Sequence, residues 1–224
     1  MDVHFATLTG RSPPPLTQVG ADPRTAIHPA AAEAFRTLAR DAAEHGIQLA
    51  IASGHRDYER QRRIWNAKAG RSRALYDRHE RPLADDADDA AVLDAILTWS
   101  AIPGASRHHW GTDFDIFDAA KKPRAALSLT QAEAAEDFAE LYAWLAQALP
   151  GTPFFRPYAR DRGGVAVEPW HLSYRPLATD FLAAYSIDVF ANNIAQSAEL
   201  ALKPLLLERL EHFYQHYVVN ICTT

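Results

Sequence analysis

The sequence has almost no cysteine, no excess of positive charge and no long apolar run. Its 224 residues include a single cysteine, Cys222, so neither an internal disulfide nor a cysteine-rich zinc site can form within one chain. The net charge of −5 provides no general attraction to nucleic acid or to an anionic membrane surface, and we expect neither as a partner. Any metal site must therefore use histidine, aspartate or glutamate ligands.

A membrane span and a signal peptide are also missing from the sequence as written. No stretch of about 20 apolar residues occurs in it, and the start, MDVHFATLTGRSPPPL, lacks a basic segment followed by an apolar one. We therefore expect no membrane-spanning segment. As written, the chain would be cytoplasmic, and it would belong to the cell envelope if the true start lies upstream.

Composition and pattern predict a globular α+β protein. Hydrophobic residues make up 48% of the chain and charged residues 23%, as in soluble globular proteins. Helical and strand patterns are mixed and show no internal repeat. We divide the chain into an irregular lead-in rich in Pro and Gly (1–28), a main domain (29–185) and a C-terminal helical extension packed on that domain (186–224). We expect a monomer in which the apolar stripe of the last helix faces inward.

The spacing of apolar residues predicts the individual elements. The first part of the main domain should contain a helix that Gly46 ends, a strand at 47–53 and a helix at 58–70. The acidic run at 85–89 is typical of a helix start, because it lacks the glycine-turn pattern of a calcium loop. The later predictions are a strand at 112–118, a helix opened by a Thr130/Glu133 capping box, a strand at 165–174 bent at Pro169, and helices to the end.

The stretch SRHHWGTDFDIFD, at 106–118, contains candidate metal ligands. His108 and Asp115 are seven residues apart, and Gly111 between them permits a sharp approach of a loop to a strand. A loop imidazole and a strand carboxylate can therefore converge on one point. A catalytic zinc site usually has three protein ligands and a water, and His171 in the later EPWH segment can supply the third. We predict one zinc ion per chain at these residues.

Two further residues suggest hydrolysis. Glu168, three residues before the third ligand, is the right kind of group to take a proton from a water that zinc activates. Residues three apart on a flat strand face opposite sides, so we predict that the chain turns at Pro169. Arg56 follows the strand at 47–53, where its charge can stabilise an oxyanion. The alternative for Arg56 is a surface ion pair with Asp57 or Glu59.

Three blocks of sequence together resemble a known family. SGHRDYERQ at 53–61, SRHHWGTDFD at 106–115 and EPWH at 168–171 occur in this order. They are similar to the patterns S-G-Y-R-S-x-x-x-Q, S-x-H-x-x-G-x-A-x-D and E-x-W-H of the zinc D-alanyl-D-alanine carboxypeptidase and dipeptidase family. That family includes the vancomycin-resistance D,D-peptidases and shares a zinc fold with hedgehog signalling domains. The resemblance implies an α+β fold with a small antiparallel sheet flanked by helices.

The resemblance also implies an activity and a role for each matched residue. The implied enzyme is a zinc metallopeptidase that hydrolyses peptidoglycan-derived peptides, with D-alanyl-D-alanine carboxypeptidase activity favoured. The implied roles are zinc binding by His108, Asp115 and His171, proton transfer by Glu168, stabilisation of the tetrahedral intermediate by Arg56, and substrate contacts by Ser106 and Gln61. An endopeptidase that cuts L-Ala-D-Glu or another internal wall bond is an alternative. A non-catalytic, zinc-stabilised binding module is disfavoured, because a structural zinc needs neither Glu168 nor Arg56.

The sequence departs from the family pattern at two positions. Asp113 occupies the place of a small apolar residue and should share a strand face with Asp115. Three interpretations stay open for it: a hydrogen-bond acceptor behind a ligand, a competing ligand, and a strand-edge carboxylate on a wet face. His55 replaces an aromatic residue and is interpreted as a substrate-side or surface group. His109 is interpreted as a non-ligating residue or as one that lies behind a ligand.

Overall fold

The computed structural model describes residues 4–223. Residues 1–3 and Thr224, at the outer ends of the predicted lead-in and C-terminal extension, lie outside the described residues. The helices are α1 (Phe5–Leu8), α2 (Pro29–Glu44), α3 (Tyr58–Ala69), α4 (Asp89–Trp99), α5 (Gln131–Glu136), α6 (Ala139–Ala148), α7 (Arg175–Ala184), α8 (Ile187–Gln196), α9 (Lys203–Glu208) and α10 (Leu210–Phe213). The strands are β1 (Thr17–Gln18), β2 (Ala26–Ile27), β3 (Leu49–Ser53), β4 (Asp113–Asp118), β5 (Phe154–Phe155) and β6 (His171–Tyr174).

A small antiparallel sheet, flanked by helices, forms the centre of the fold, as the resemblance implied. Its strand order is β3-β4-β6-β5, and all its neighbouring strands are antiparallel. Strand β4 is therefore paired on both sides. Asp115 of β4 lies opposite Ser53 of β3 and opposite His171 of β6. A β-bulge separates Ile51 from Ser53 in β3 and redirects the end of that strand.

The two faces of the sheet differ in chemistry. Phe114, Ile116 and Leu172 lie in an apolar core with the buried side chains of α2 and α6. The alternate positions of the two strands point to the opposite face of the sheet. They hold Asp113 and Asp115 on β4 and their cross-strand partners on β6. The sheet thus separates an apolar core from a polar site.

The predicted elements of the first half are confirmed with small changes in their bounds. The buried residues of α2, which include Phe35 and Leu38, recur at the predicted spacing. Helix α2 ends before Gly46, whose φ of +78° allows the chain to turn there. The acidic run before α4 is a helix start, as predicted, because the Asp88 carboxylate accepts a hydrogen bond from Ala91 N at 2.8 Å.

Three expectations about the elements were wrong. The segment expected to be irregular contains the paired strands β1 and β2. The strand expected at 165–174 covers only β6, because a turn occupies Pro169 and Trp170. The helix opened by Thr130 is two helices, α5 and α6, separated at residues 137–138. Thr130 caps α5 as expected, but the Glu133 carboxylate accepts hydrogen bonds from Ser128 N and Leu129 N.

The C-terminal helices cover a second apolar core, built around α4. Leu206 and Phe213 of the predicted stripe are buried in it, so the stripe faces inward as expected. Trp110, which follows two histidines in the sequence, lies in the same core, and its ring stacks on Phe181 at a centroid distance of 5.6 Å. The indole of Trp110 also donates to Leu8 O at 3.1 Å. Among the described residues, no helix is both long and apolar enough to cross a membrane.

We expect Gly104→Ala to unfold the protein more readily than Gly46→Ala. Both glycines have a positive φ, which costs any other residue about 1–2 kcal/mol. A Cβ at Gly46 would meet nothing within 4 Å, whereas a Cβ at Gly104 would collide with the buried Asn193 amide. Hydrogen bonds to Pro103 O and from Arg11 hold that amide in place. Overpacking should add about 1–3 kcal/mol to the cost at Gly104. Equal free energies of unfolding for the two variants, measured in urea, would contradict this expectation.

Candidate metal centre

Strand pairing and one short turn bring three candidate ligands together. Asp115 and His171 face each other across β4 and β6. His108 lies in a 3₁₀ turn, Arg107–Trp110, that leads into β4. Gly111 ends this turn with a φ of +67°, and a Cβ there would crowd Leu16. The glycine therefore allows the sharp approach that the sequence predicted.

The distances between the three side chains fit a zinc ion. One ligand atom from each of His108, Asp115 and His171 lies within 4.8 Å of the other two. The imidazole Nε2 of His108 is 3.5 Å from an Asp115 oxygen, and His171 Nδ1 is 3.4 Å from the other oxygen. Two ligands at zinc–nitrogen and zinc–oxygen distances of about 2.0–2.2 Å in a tetrahedron lie roughly 3.3–3.5 Å apart. The residues present therefore match the donor set and the size of a zinc site.

Hydrogen bonds on the far side of each imidazole determine which nitrogen faces the site. The Nδ1 of His108 donates to Gly54 O at 2.9 Å, which leaves Nε2 as the free ligand atom. The Nε2 of His171 donates to an Asp113 oxygen at 3.2 Å, which leaves Nδ1. A carbonyl or a carboxylate behind a metal-binding imidazole selects the ring tautomer in this way.

A tight turn brings Glu168 next to the three candidate ligands. The amide of His171 donates to Glu168 O at 3.2 Å, which closes a turn over Pro169 and Trp170. This is the turn that the sequence predicted. As a result, a Glu168 carboxylate oxygen lies 3.3 Å from His171 Nδ1. The carboxylate also lines the cavity at the site.

Arg56 points into the site and not toward the surface. Its guanidinium donates to Gln61 Oε1 at 2.8 Å, and one Nη lies 4.0 Å from an Asp115 oxygen. The alternative surface pair does not form. Asp57 caps α3 by accepting from Arg60 N, and Glu59 pairs with Arg62.

A cavity of about 560 Å³ opens over these residues. Ser106, Arg56 and Glu168 line it together with the three candidate ligands. Gln61, which the resemblance implied as a substrate contact, is fully buried and does not line this cavity. Its side chain supports Arg56 and donates to Ala101 O at 2.7 Å. Arg73, Tyr76 and Glu80, from the segment between α3 and α4, also line the cavity.

The charged groups of the site keep Asp115 ionised. Burial alone raises the pKa of Asp115, but the neighbouring His108 and His171 outweigh burial and lower it well below its ordinary value. Burial alone lowers the pKa of His171, but hydrogen bonds with Asp113, Asp115 and Glu168 raise it well above its ordinary value. A proton on His171 therefore competes with a metal ion for the imidazole.

Asp113 is not on a wet strand edge, which overturns one interpretation of it. It has no exposed surface, because β4 is central in the sheet. Burial alone raises its pKa, but Arg107 and His171 outweigh burial and lower it to about 2. The Arg107 Nε donates to Asp113 Oδ1 at 2.7 Å. Sequence reasoning missed this contact, although Arg107 directly precedes the first candidate ligand.

The two remaining histidines near the site do not join the cluster. His109 is fully buried between two backbone groups: its Nδ1 donates to Arg56 O at 2.5 Å and its Nε2 accepts from Gly104 N at 3.1 Å. Burial lowers its pKa to about 3, so the ring is neutral. Both ring nitrogens are in use, as expected for a non-ligating residue. His55 is partly buried and does not line the cavity.

Comparison with protein families gives one match over most of the chain. The family model described as VanY, D-alanyl-D-alanine carboxypeptidase, matches residues 24–177. That range contains all three sequence blocks and the whole four-stranded sheet. An uncharacterised protein of Haemophilus influenzae is 36% identical over 133 residues, which are 57% of this chain and 100% of the relative.

Solved structures with the same fold include a vancomycin-resistance D,D-pentapeptidase and an LD-carboxypeptidase. A mutant of the vancomycin-resistance D,D-pentapeptidase VanY from a VanB-type resistance cassette, in complex with Zn(II), is 25% identical and superposes with a TM-score of 0.52. The match covers 79% of this chain and 93% of that one. VanYB in complex with D-alanine-D-alanine gives a TM-score of 0.52 at 25% identity, over 75% and 83% of the two chains. The LdcB LD-carboxypeptidase, at 23% identity, a TM-score of 0.53 and 76% and 74% coverage, shares the fold.

Proposed function

Because the chain belongs to the VanY family of D-alanyl-D-alanine carboxypeptidases, we propose that it removes the terminal D-alanine from peptidoglycan stem peptides. As a member of the VanY family, the chain is a peptidase of the zinc D,D-peptidase type. We further propose that the chain binds one zinc ion and that each residue of the site has a separate role. In this proposal His108, Asp115 and His171 hold the zinc.

One observation carries the proposal: the ligand cluster, an acid–base carboxylate and a cation meet at a single cavity. The three ligand atoms lie within 4.8 Å of one another. Glu168 is 3.3 Å from His171 Nδ1, and Arg56 is 4.0 Å from an Asp115 oxygen. A purely structural metal site needs neither of these charged groups beside it.

Each group has a step in hydrolysis. Zinc at this site would supply Lewis-acid chemistry, which activates a water and polarises the scissile carbonyl. The Glu168 carboxylate takes a proton from the attacking water and delivers it to the nitrogen of the leaving D-alanine. The Arg56 guanidinium stabilises the negative charge that develops on the carbonyl oxygen. Ser106 lies in the cavity wall, where its hydroxyl can contact the peptide.

The proposal is tested by digesting stem peptides of defined sequence and measuring the masses of the products by mass spectrometry. A peptide that ends in D-Ala-D-Ala should lose one D-alanine, and the same peptide with an amidated C-terminus should be cut far more slowly. An endopeptidase would cut both peptides at an internal bond. Chelator-treated protein, with and without added zinc, is the control. Absence of any cleavage by the zinc-supplemented protein would overturn the proposal.

We expect Arg56→Ala to lower kcat by about 10²–10³-fold, the usual cost of removing one oxyanion donor. The Michaelis constant should change much less, because the charge that Arg56 stabilises develops only in the transition state. Zinc content should stay stoichiometric. Arg62→Ala is the matched control, since Arg62 directly follows the SGHRDYERQ block but pairs with Glu59 and Glu199 and does not line the cavity. An equal loss of kcat in both variants would argue against an oxyanion role for Arg56.

A further inference from the structure

We infer that Asp113 is a positioning residue for His171: its carboxylate accepts the Nε2–H of the imidazole and thereby holds Nδ1 toward the metal. The inference rests on the proposed function in one respect, that the site takes a zinc ion. It concerns a residue where this chain departs from the family pattern. The small apolar residue of that pattern offers no acceptor to the imidazole.

The geometry places Asp113 behind the ligand. It lies two residues before Asp115 on β4, on the same face, and opposite Ser173 of β6. Its Oδ1 is 3.2 Å from His171 Nε2, on the side of the ring away from Asp115 and Glu168. A carboxylate in this position selects the tautomer with the proton on Nε2, orients the ring and makes the ligand nitrogen more basic.

The other bonds of Asp113 keep it from acting as a fourth ligand. Its Oδ1 also accepts from Arg107 Nε at 2.7 Å, and its Oδ2 accepts from the Thr112 hydroxyl at 2.8 Å. Both oxygens are therefore occupied, and the side chain has no exposed surface. The position that a water needs on the metal stays open.

Arg107 holds the carboxylate in place. Its Nη2 donates to the Ser173 hydroxyl at 2.8 Å, so the guanidinium spans β4 and β6. The guanidinium also lies over the rings of Trp110 and Phe155, at 5.0 and 5.9 Å from their centroids. Arg107 is itself nine-tenths buried or more, so its charge and that of Asp113 depend on each other. The pair forms a rigid support under His171.

The test measures zinc affinity by competition with a chromophoric chelator. The double variant Arg107→Met/Asp113→Ala removes both buried charges together and therefore avoids an unpaired one. We expect zinc to bind it about 10–100-fold more weakly than the wild type, the usual cost of losing a partner behind a ligand. Asp113→Asn keeps the shape and a weaker, neutral acceptor. We expect its zinc affinity to be more than threefold below that of the wild type but above that of the double variant.

Asp118→Asn is the matched control, because Asp118 is a buried carboxylate on the same strand whose hydrogen bonds within the described residues come from the backbone amides of Gln48 and Ala120. Its zinc affinity should equal that of the wild type, whatever its melting temperature. If the double variant does not fold, Asp113→Asn decides. The inference would be overturned if the folded double variant bound zinc within threefold of the wild type. If only Asp113→Asn folds, the same result in that variant would overturn it. A wild-type protein that binds no zinc would instead overturn the proposed function.

Discussion

Glu168→Gln should retain stoichiometric zinc and lose hydrolysis of a D-Ala-D-Ala peptide by about 10²–10⁴-fold, the usual contribution of a general acid–base. The amide keeps the size of the side chain, and the turn that places it depends on backbone atoms, Glu168 O and His171 N. The variant can therefore still bind metal and peptide. It lacks only a carboxylate that takes the proton from water.

The measurement for Glu168→Gln is kcat for release of D-alanine, together with metal analysis of the same preparation. Glu140→Gln serves as the control for the substitution itself, because Glu140 is a largely exposed residue that pairs with Lys121. Its activity should be that of the wild type. Unchanged hydrolysis by Glu168→Gln would exclude the proton-transfer role. A wild-type protein that binds peptide without cutting it would instead favour the binding-module alternative.

His108→Ala and His109→Ala should affect different properties, zinc binding in the first and stability in the second, although the two residues are neighbours in the chain. The first variant loses a proposed zinc ligand, so we expect zinc affinity to fall by more than about 100-fold, the upper range for losing a residue that only supports a ligand. Hydrolysis should fall with it. The second variant loses a ring that bonds Arg56 O and Gly104 N inside the fold. It should lose stability, by about 1–3 kcal/mol for the unpaired buried groups, and keep zinc.

Two measurements on both variants check these expectations: the zinc content after gel filtration, and the free energy of unfolding in urea. Unfolding should be compared for zinc-free preparations, so that the metal does not contribute to the free energy. Retention of stoichiometric zinc by His108→Ala would remove that residue from the ligand set. Loss of zinc from a folded His109→Ala would contradict the non-ligating role of His109.

The sequence indicated that the three candidate ligands lie together, because much of their signal is local. His108 and Asp115 fall within one block, a glycine separates them, and the turn at Pro169 follows from a three-residue spacing. The support under His171 has no local signal. Arg107, Asp113 and Ser173 belong to a turn and two different strands, and only the pairing of β4 with β6 brings them together.

Other misses have similar physical causes. Strand β5 has two residues, Phe154 and Phe155, which is too short to show any alternation. Gln61 lies in a matched block, yet the helix α3 turns its side chain toward Arg56 and Ala101 O rather than into the cavity. A sequence pattern indicates that such a residue belongs near the site. It does not indicate whether the residue touches the substrate or supports one that does.

The register of β4 also determines when in folding the site can exist. His171 bonds to Asp113 across 58 positions of the chain, and His108 bonds to Gly54 across 54. Closing such loops has an entropic cost that only long-range strand pairing repays. No short segment of the chain holds all three proposed ligands. Zinc would therefore bind to molecules that have already completed the sheet, and by mass action it would stabilise the folded enzyme without guiding the chain toward that fold.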